Sequence, residues 1–291
     1  MFTLSQILGR ALKEGWALPH FNISNLEQLR GVCEAARKLR APLMIGVSEG
    51  ERVFIGLGQA IALVDVYREE YDLPLYLNAD HTLSVQGAKE AIDAGYNSIH
   101  IDLSKKNFAE NLAGTSEVIR YARTLRDIDL LSIEGELGYL VTESSRVYKK
   151  KIFVDPSTLT KPEEAVRFVR ESSIDRFAPA VGNLHGIALN RPKIDFKLVA
   201  KLRASLPDSV AMVLHGGSGN SPAVFRKLID LGFNNIHIST ELRLAYRRAL
   251  EGSLRHSRSE IAPYKIMQPA IEEVRKTAEK YIKIFGANNR I

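Results

Sequence analysis

Three histidines in this 291-residue chain each stand just past an apolar run: His81 closes LPLYLNADH, His185 lies in NLHG and His215 opens HGGSG. The run before His81 (Leu75, Tyr76, Leu77) has strand character. Leu83–Ala94 behind it reads as a helix, with apolar or small residues at Val85, Ala88, Ala91 and Ile92. A strand that delivers a polar pair just before a helix is how an α/β protein presents chemistry. Three neutral imidazoles leaving one position open suit a catalytic Zn2+ site, with Zn–N distances near ~2.0 Å. The competing reading is that each histidine caps its strand by bonding backbone. Local spacing does not decide, because the chain has no HExxH or CxxC motif. Three such residues on one rim favour the metal.

Asp80 adjoins His81, and strand alternation predicts that the two side chains point opposite ways. Asp80 then acts as an acid/base beside the metal or bonds loop amides. Asp102, Glu134 and Glu136 orient the histidines, bind a second cation, or are simply solvated strand ends. HGGSG reads as a phosphate cradle, since glycine lets backbone N–H groups approach an anion and Ser218 adds a hydroxyl. Glycines also make ordinary turns, so the motif alone is weak. Ser239 and Thr240, opening a later helix, complete such a cradle. His20, His100 and His256 lack this company and are read as structural.

The elements that must position these groups follow in order. Strands are expected at Ala17–Ile23, Pro42–Val47, Leu73–His81, Ser98–Leu103, Leu130–Leu137, Phe177–Val181, Val210–Leu214 and Ile236–Ser239. Helices are expected at Leu26–Leu39, Val53–Glu70, Leu83–Ala94, Phe108–Arg126, Asp195–Leu206, Pro222–Leu231 and Glu241–Leu250, with a tail at Ser259–Ile284. Tyr139–Leu159 has no period and reads as a long loop, after which Thr160 to Glu163 forms a capping box with proline in the first turn. Uninterrupted apolar runs indicate strands buried on both faces. Eight such units in one chain favour a closed (β/α)8 TIM barrel, here one domain over residues 1–291 with a C-terminal helical extension from about 259. Asn22, Ser48, Asp80, His81, Asp102, Glu136, His185, His215 and Ser239 all fall at or past strand C-terminal ends, the barrel face where active sites sit.

Composition bounds the rest. Apolar content of 45% with 25% charge is globular, and no run reaches the ~18 apolar residues of a membrane span. The net charge of +6 is scattered over helices, without the aromatic interleaving or reading motif of a nucleic-acid binder. A mild positive field also draws in phosphorylated substrates. The N-terminal stretch MFTLSQILGRALKEG has no secretory pattern, and the single cysteine, Cys33, forms no internal disulfide. A cytoplasmic protein is expected.

Taken together, ALPHFN, APLMIGVSEG, LNADH, IDLSKKNFAENL, EGELG, VGNLHG, LHGGSG, ISTELRLAY and GANNRI resemble the class II, metal-dependent ketose-bisphosphate aldolases, the fructose- and tagatose-bisphosphate aldolase family. The resemblance runs nearly end to end. It implies that His81, His185 and His215 hold zinc, that Asp80 is the catalytic acid/base, and that Asp102 and Glu136 belong to an alternative metal position. It assigns Gly186, Gly216, Gly217, Ser218, Ser239 and Thr240 to binding dihydroxyacetone phosphate, with Na+ or K+ near Gly186 and Gly216. Ser48 matches a substrate contact, and Asn22 stands with it on the rim as substrate-binding. Cleaving a C–C bond next to a carbonyl creates an enediolate, which a Lewis acid stabilises. The acid that protonates it comes, in the family, from the loop after strand five, where Glu143 is the candidate. A sugar-phosphate substrate and a homo-oligomer, dimer or tetramer, are expected.

Three departures bear on the aldehyde half of the substrate. The glycine pair before the loop carboxylate is missing, His237 stands where a sugar-contacting asparagine is common, and Tyr264 with Lys265 replaces an arginine that reaches a neighbour's distal phosphate. The resemblance makes fructose 1,6-bisphosphate the leading substrate, and these departures keep tagatose bisphosphate or another ketose 1-phosphate as alternatives. A Schiff-base mechanism needs a lysine, and none lies inside an expected strand. A metal-dependent sugar-phosphate epimerase or isomerase is a second enzyme reading on this fold. A catalytically silent sugar-phosphate-binding paralogue is the non-enzyme one.

Overall fold

The computed structural model describes residues 2–125, 130–140, 142–190 and 193–291. Arg126, the expected end of one helix, and Val141, inside the expected loop, lie outside them. The chain opens with helix α1 (Leu4–Glu14), followed by β1 (Leu18–Asn22), α2 (Leu26–Leu39), β2 (Leu43–Val47), α3 (Glu49–Ile55), α4 (Leu57–Tyr71), β3 (Leu75–Thr82), α5 (Val85–Ala94), β4 (Ser98–Ile101) and α6 (Phe108–Leu125). It continues with β5 (Ser132–Leu137), α7 (Pro162–Ser172), β6 (Arg176–Pro179), α8 (Phe196–Ser205), β7 (Ala211–Leu214), α9 (Pro222–Asp230), β8 (Phe233–Ile238), α10 (Thr240–His256) and α11 (Pro263–Ile284).

The eight strands pair in sequence order, and β1 pairs with β8 in parallel, so the sheet closes into the expected TIM barrel. Strand residues are buried almost without exception because helices cover the outside and side chains fill the inside. The C-terminal extension is α11, whose apolar face (Ala270, Ile271, Val274, Ala278, Ile282) is buried. Its last residues bond back to the end of α2, from Asn289 N–H to the Leu39 carbonyl at 2.8 Å. No helix among the described residues is long and apolar enough to cross a membrane.

Four local expectations are corrected. Helix α1 was not anticipated, although Thr3 and Gln6 form its capping box and Leu4, Ile7, Leu8 and Ala11 its buried face. Val53–Glu70 is two helices, because Gly56 takes φ +97 between α3 and α4. Helix α3 also begins earlier, where the Ser48 N–H donates to Glu51 Oε2 at 2.8 Å. Thr160 caps nothing: Lys161 precedes Pro162 at the start of α7. The Thr160 hydroxyl instead donates to the Leu137 carbonyl at 2.5 Å and accepts from the Ala180 N–H at 2.8 Å, tying the ends of β5 and β6.

Candidate active site

The side chains that converge at the strand C-terminal ends come from β1, β3, the loops after β6 and β7, and the end of β8. Asn22, Asp80, His81, His185, His215, His237, Ser239 and Thr240 line one cleft. The predicted opposition of Asp80 and His81 does not hold. His81 adopts a left-handed φ of +43, and the β3–β4 register slips between Ala79 and Thr82. That kink interrupts strict alternation and turns both side chains into the cleft.

Each histidine is fixed differently. His81 Nδ1 lies 2.8 Å from Asp102 Oδ2, and Asp102 is itself held by the Ser104 hydroxyl at 2.6 Å. His215 Nε2 lies 2.7 Å from Glu134 Oε1. A ring nitrogen bonded to a carboxylate in this way leaves the other with a lone pair for a metal. The rings of His81 and His215 are 4.6 Å apart, and that of His185 is 4.9 Å from His81 and 6.0 Å from His215. Ligand atoms of Asp80, His81, His100 and His215 gather within 4.8 Å of one another, as do those of His81, His100, Asp102 and Glu136. His185 belongs to neither group. His20 and His100 do not stand apart, as expected, but lie one layer below the rim. His100 Nδ1 accepts from the His81 N–H at 3.2 Å, and His20 stacks on His237 at 3.4 Å with rings 3° from parallel. His256 is exposed, with its Nδ1 2.7 Å from the Gly252 carbonyl.

Burial alone would push Asp80 up, but His81, His100, His20 and His237 outweigh it and hold its carboxyl well below the usual range. Burial pushes His81 down, yet the Asp80 and Asp102 carboxylates prevail and raise it to about 9. Burial keeps His185 and His237 neutral, well below the usual histidine value. Among the described residues, Asp80 Oδ1, both His237 nitrogens and Ser239 Oγ are buried without a hydrogen-bond partner, and His100 Nε2 faces Glu136 Oε2 at 3.3 Å. A lattice of ionised carboxylates, imidazole lone pairs and unpartnered polar atoms fits a divalent metal and a polar ligand.

The cradle is built by close backbone approach. A Cβ on Gly216, whose φ is +62, would stand 2.1 Å from the Leu184 carbonyl oxygen, and one on Gly217 would stand 2.7 Å from that of His237. Gly216→Ala is expected to lower stability by more than about 1 kcal/mol, read from the denaturant midpoint at unchanged m-value. Among the described residues the Gly216 and Ser218 amides have no acceptor, whereas Gly217 N–H donates to the His237 carbonyl and Gly219 N–H to Glu241 Oε2. Ser218 and the first turn of α10 face each other, with the Glu241 N–H donating to Ser218 Oγ at 3.3 Å. Free amides in a glycine loop that faces the start of α10 suit an anion. Gly186, Gly216 and Ser218 also wall an adjoining cavity of about 290 Å3.

Residues 2–290 match the family model for class II fructose-bisphosphate aldolase. The chain belongs to that family. It is a class II aldolase, a carbon–carbon lyase. A fructose-bisphosphate aldolase of Staphylococcus aureus (strain Mu50) is 32% identical over 293 residues, spanning 100% of this chain and 99% of that protein. One from Staphylococcus epidermidis (strain ATCC 12228) is equally similar at 32%. Among solved structures, the YdjI aldolase from Escherichia coli K12 superposes with a TM-score of 0.83 at 26% identity, over 99% of this chain and 98% of that one. The Campylobacter jejuni fructose-bisphosphate aldolase shares the fold, with a TM-score of 0.83 at 19% identity.

Not every expected site residue of this aldolase reaches the cleft. Glu143 faces solvent with its side chain 63% exposed, paired to Arg146 at 2.6 Å. Ser144 lines the cleft instead, its carbonyl accepting from Thr240 Oγ1 and its hydroxyl from Arg243 Nη1. Gly186 lies under this loop, where a Cβ would meet the Arg146 and Glu143 carbonyls. Ser48 is bound to Glu51, and Lys265 pairs with Glu260 on an exposed stretch of α11 beside exposed Tyr264. Glu51 and Arg243 were missed. The Glu51 carboxylate accepts from Ser24, Ser48, Asn22 and Arg243 and so joins β1, α3 and α10 beneath the cleft mouth. The S-E-G-E stretch after β2 carries the capping-box signal that could have found it.

Proposed function

We propose that this aldolase catalyses reversible cleavage of a ketose 1,6-bisphosphate, fructose 1,6-bisphosphate foremost, to dihydroxyacetone phosphate and glyceraldehyde 3-phosphate, with Zn2+ as its metal. The observation that carries this reading is Asp80: ionised, with Oδ2 held by Asn22 Nδ2 at 2.8 Å and Oδ1 uncommitted, beside His81 and His215. His81, His185 and His215 would hold the divalent ion, which when bound supplies a Lewis acid at the substrate carbonyl. Asp80 takes the C4-hydroxyl proton during cleavage and returns it during condensation. Asn22 fixes the plane of that carboxylate. The Gly216 and Ser218 amides, Gly186, Gly217, Ser239 and Thr240 receive the phosphate next to the ketone. His237 meets the sugar hydroxyls with an unpartnered ring nitrogen.

Glu143 is the proposed donor of the proton that returns to the carbon of dihydroxyacetone phosphate, which requires its loop to turn over the cleft. Glu143→Gln is expected to abolish exchange of that carbon-bound proton with deuterated water, leaving metal content and substrate binding unchanged. Wild-type exchange in the variant removes Glu143 from the reaction and directs attention to Ser144 and its neighbours.

A second reading, a ketose 1-phosphate substrate, is favoured by the distal end. Tyr264 stands where the resemblance places an arginine for that phosphate, and the adjacent Lys265 is already paired with Glu260 at 3.1 Å. A coupled assay across fructose and tagatose 1,6-bisphosphates and ketose 1-phosphates separates the two. Specificity constants for bisphosphates well above those for 1-phosphates support the first reading, and parity or the reverse supports the second.

A further inference from the structure

A second polar layer lies under the cleft, centred on Arg176 of β6. Its side chain is fully buried, and its guanidinium reaches five other strands. Nε donates to Ser132 Oγ at 3.0 Å, Nη1 to Glu134 Oε2 at 2.5 Å and to Asn235 Oδ1 at 3.5 Å. Nη2 donates to Asn78 Oδ1 at 3.4 Å and to Ser98 Oγ, and Nη1 approaches Met44 Sδ at 3.8 Å. Glu134 and Arg176 are register partners on adjacent strands, so the pair is imposed by the barrel itself.

The two oxygens of Glu134 have separate partners: Oε2 meets Arg176, and Oε1 meets His215 Nε2 at 2.7 Å. We propose that Arg176 is a positioning residue for the metal centre, acting through Glu134 to fix the plane and tautomer of His215. The inference rests on the reading that His215 holds the metal. Desolvating a guanidinium and a carboxylate offsets most of their attraction, so such a pair contributes little net stability over an apolar packing of the same volume. Its consequence here is geometric. A planar fork that touches β2, β3, β4, β5 and β8 admits one orientation, and Glu134 inherits it. A carboxylate held at one oxygen presents the other to the imidazole at a fixed angle. With Nε2 bonded as donor, Nδ1 keeps the lone pair. Lysine at position 176 would keep the charge and lose the fork.

The test measures Zn2+ affinity by competition with a chromogenic chelator, together with the thermal midpoint, for wild type, Glu134→Gln, Arg176→Lys, the double variant, Ser132→Ala and His215→Ala. Glu134→Gln is nearly isosteric and is expected to weaken zinc binding by about 10–100-fold. Arg176→Lys is expected to weaken it in the wild-type background but to add nothing in the Glu134→Gln background. Ser132→Ala is expected to shift only the thermal midpoint. Unchanged zinc affinity in Glu134→Gln overturns the proposal even if Arg176→Lys fails to fold. Lowered thermal midpoints with wild-type affinity reduce Arg176 to a structural residue and overturn it too. If His215→Ala itself binds zinc normally, the underlying assignment of the metal ligands fails, which is a separate result.

Discussion

Dialysis of this aldolase against a chelator is expected to abolish aldol cleavage, and added Zn2+ to restore it. The charge that develops on the substrate carbonyl needs an electrophile, and the strands supply no lysine that could form a Schiff base there. Borohydride trapping with substrate is accordingly expected to leave no covalent adduct. Metal affinity should also depend on pH with a defined sign. In the metal-free cluster His81 titrates at about 9, so below that pH it holds a proton that the metal must displace. One displaced proton makes the apparent affinity rise by about tenfold per pH unit up to that value and flatten above it. Chelator competition at several pH values measures the slope. Full activity in a sample verified as metal-free would sink the mechanism, and a flat affinity profile would show that the metal displaces no proton from His81.

How far such a site can be read in advance follows from the geometry of its strands. The rim was legible because polar residues at strand ends stand out against apolar runs: Asn22, Asp80, His81, His215 and Ser239 all line the cleft. The layer beneath is legible only in part: Glu134 and His237 stand out in their runs, whereas His20, Asn78 and His100 are hidden in runs that read as apolar. Side chains two apart share a face of a strand, so each rim residue has a partner one step inward. His20 lies under Asn22, Asn78 under Asp80, His100 under Asp102, Glu134 under Glu136, and His237 under Ser239, and all of these inward residues are buried. Parity applied to PHFN, LNAD, IHID, IEGE and IHIS would have found the layer. Arg176, the register partner of Glu134, belongs to the same layer, and a lone arginine in RFAP carries no period of its own. Parity fails at His81, where the left-handed φ swings a neighbour of Asp80 onto its face. Nothing in the residue types around LNADHT announces that kink. Glu143 illustrates a different limit: chain proximity to Glu136 brings a carboxylate near the rim, but Arg146 three residues on captures it in solvent.

Asp80→Ala is expected to lower turnover by roughly 10²–10⁴-fold, the usual worth of a positioned acid/base, with zinc still bound. Its Oδ2 is anchored by Asn22, and its Oδ1 is buried and has no hydrogen-bond partner, the arrangement of a group held ready for a proton that arrives with the substrate. The surrounding imidazoles keep it ionised, so it is a base before it is an acid. The rival role is structural. Asp80 Oδ1 also stands 3.5 Å from His100 Nδ1 and 3.6 Å from His237 Nδ1, and its ligand atoms fall within the same 4.8 Å group as His81 and His215. Removing such a carboxylate from a crowded imidazole cluster could release the metal rather than the proton. Metal content and single-turnover cleavage measured on one sample separate the two. A loss of rate with full zinc occupancy identifies Asp80 as the acid/base. Parallel loss of zinc and rate would make it a ligand or a support, and the proton transfer would then fall to another group on the rim. Asp80→Asn sharpens the distinction, since the amide keeps the hydrogen bond to Asn22 within reach but cannot accept a proton at Oδ1. If its rate falls as far as that of the alanine variant while zinc stays bound, the lost function is the proton transfer itself.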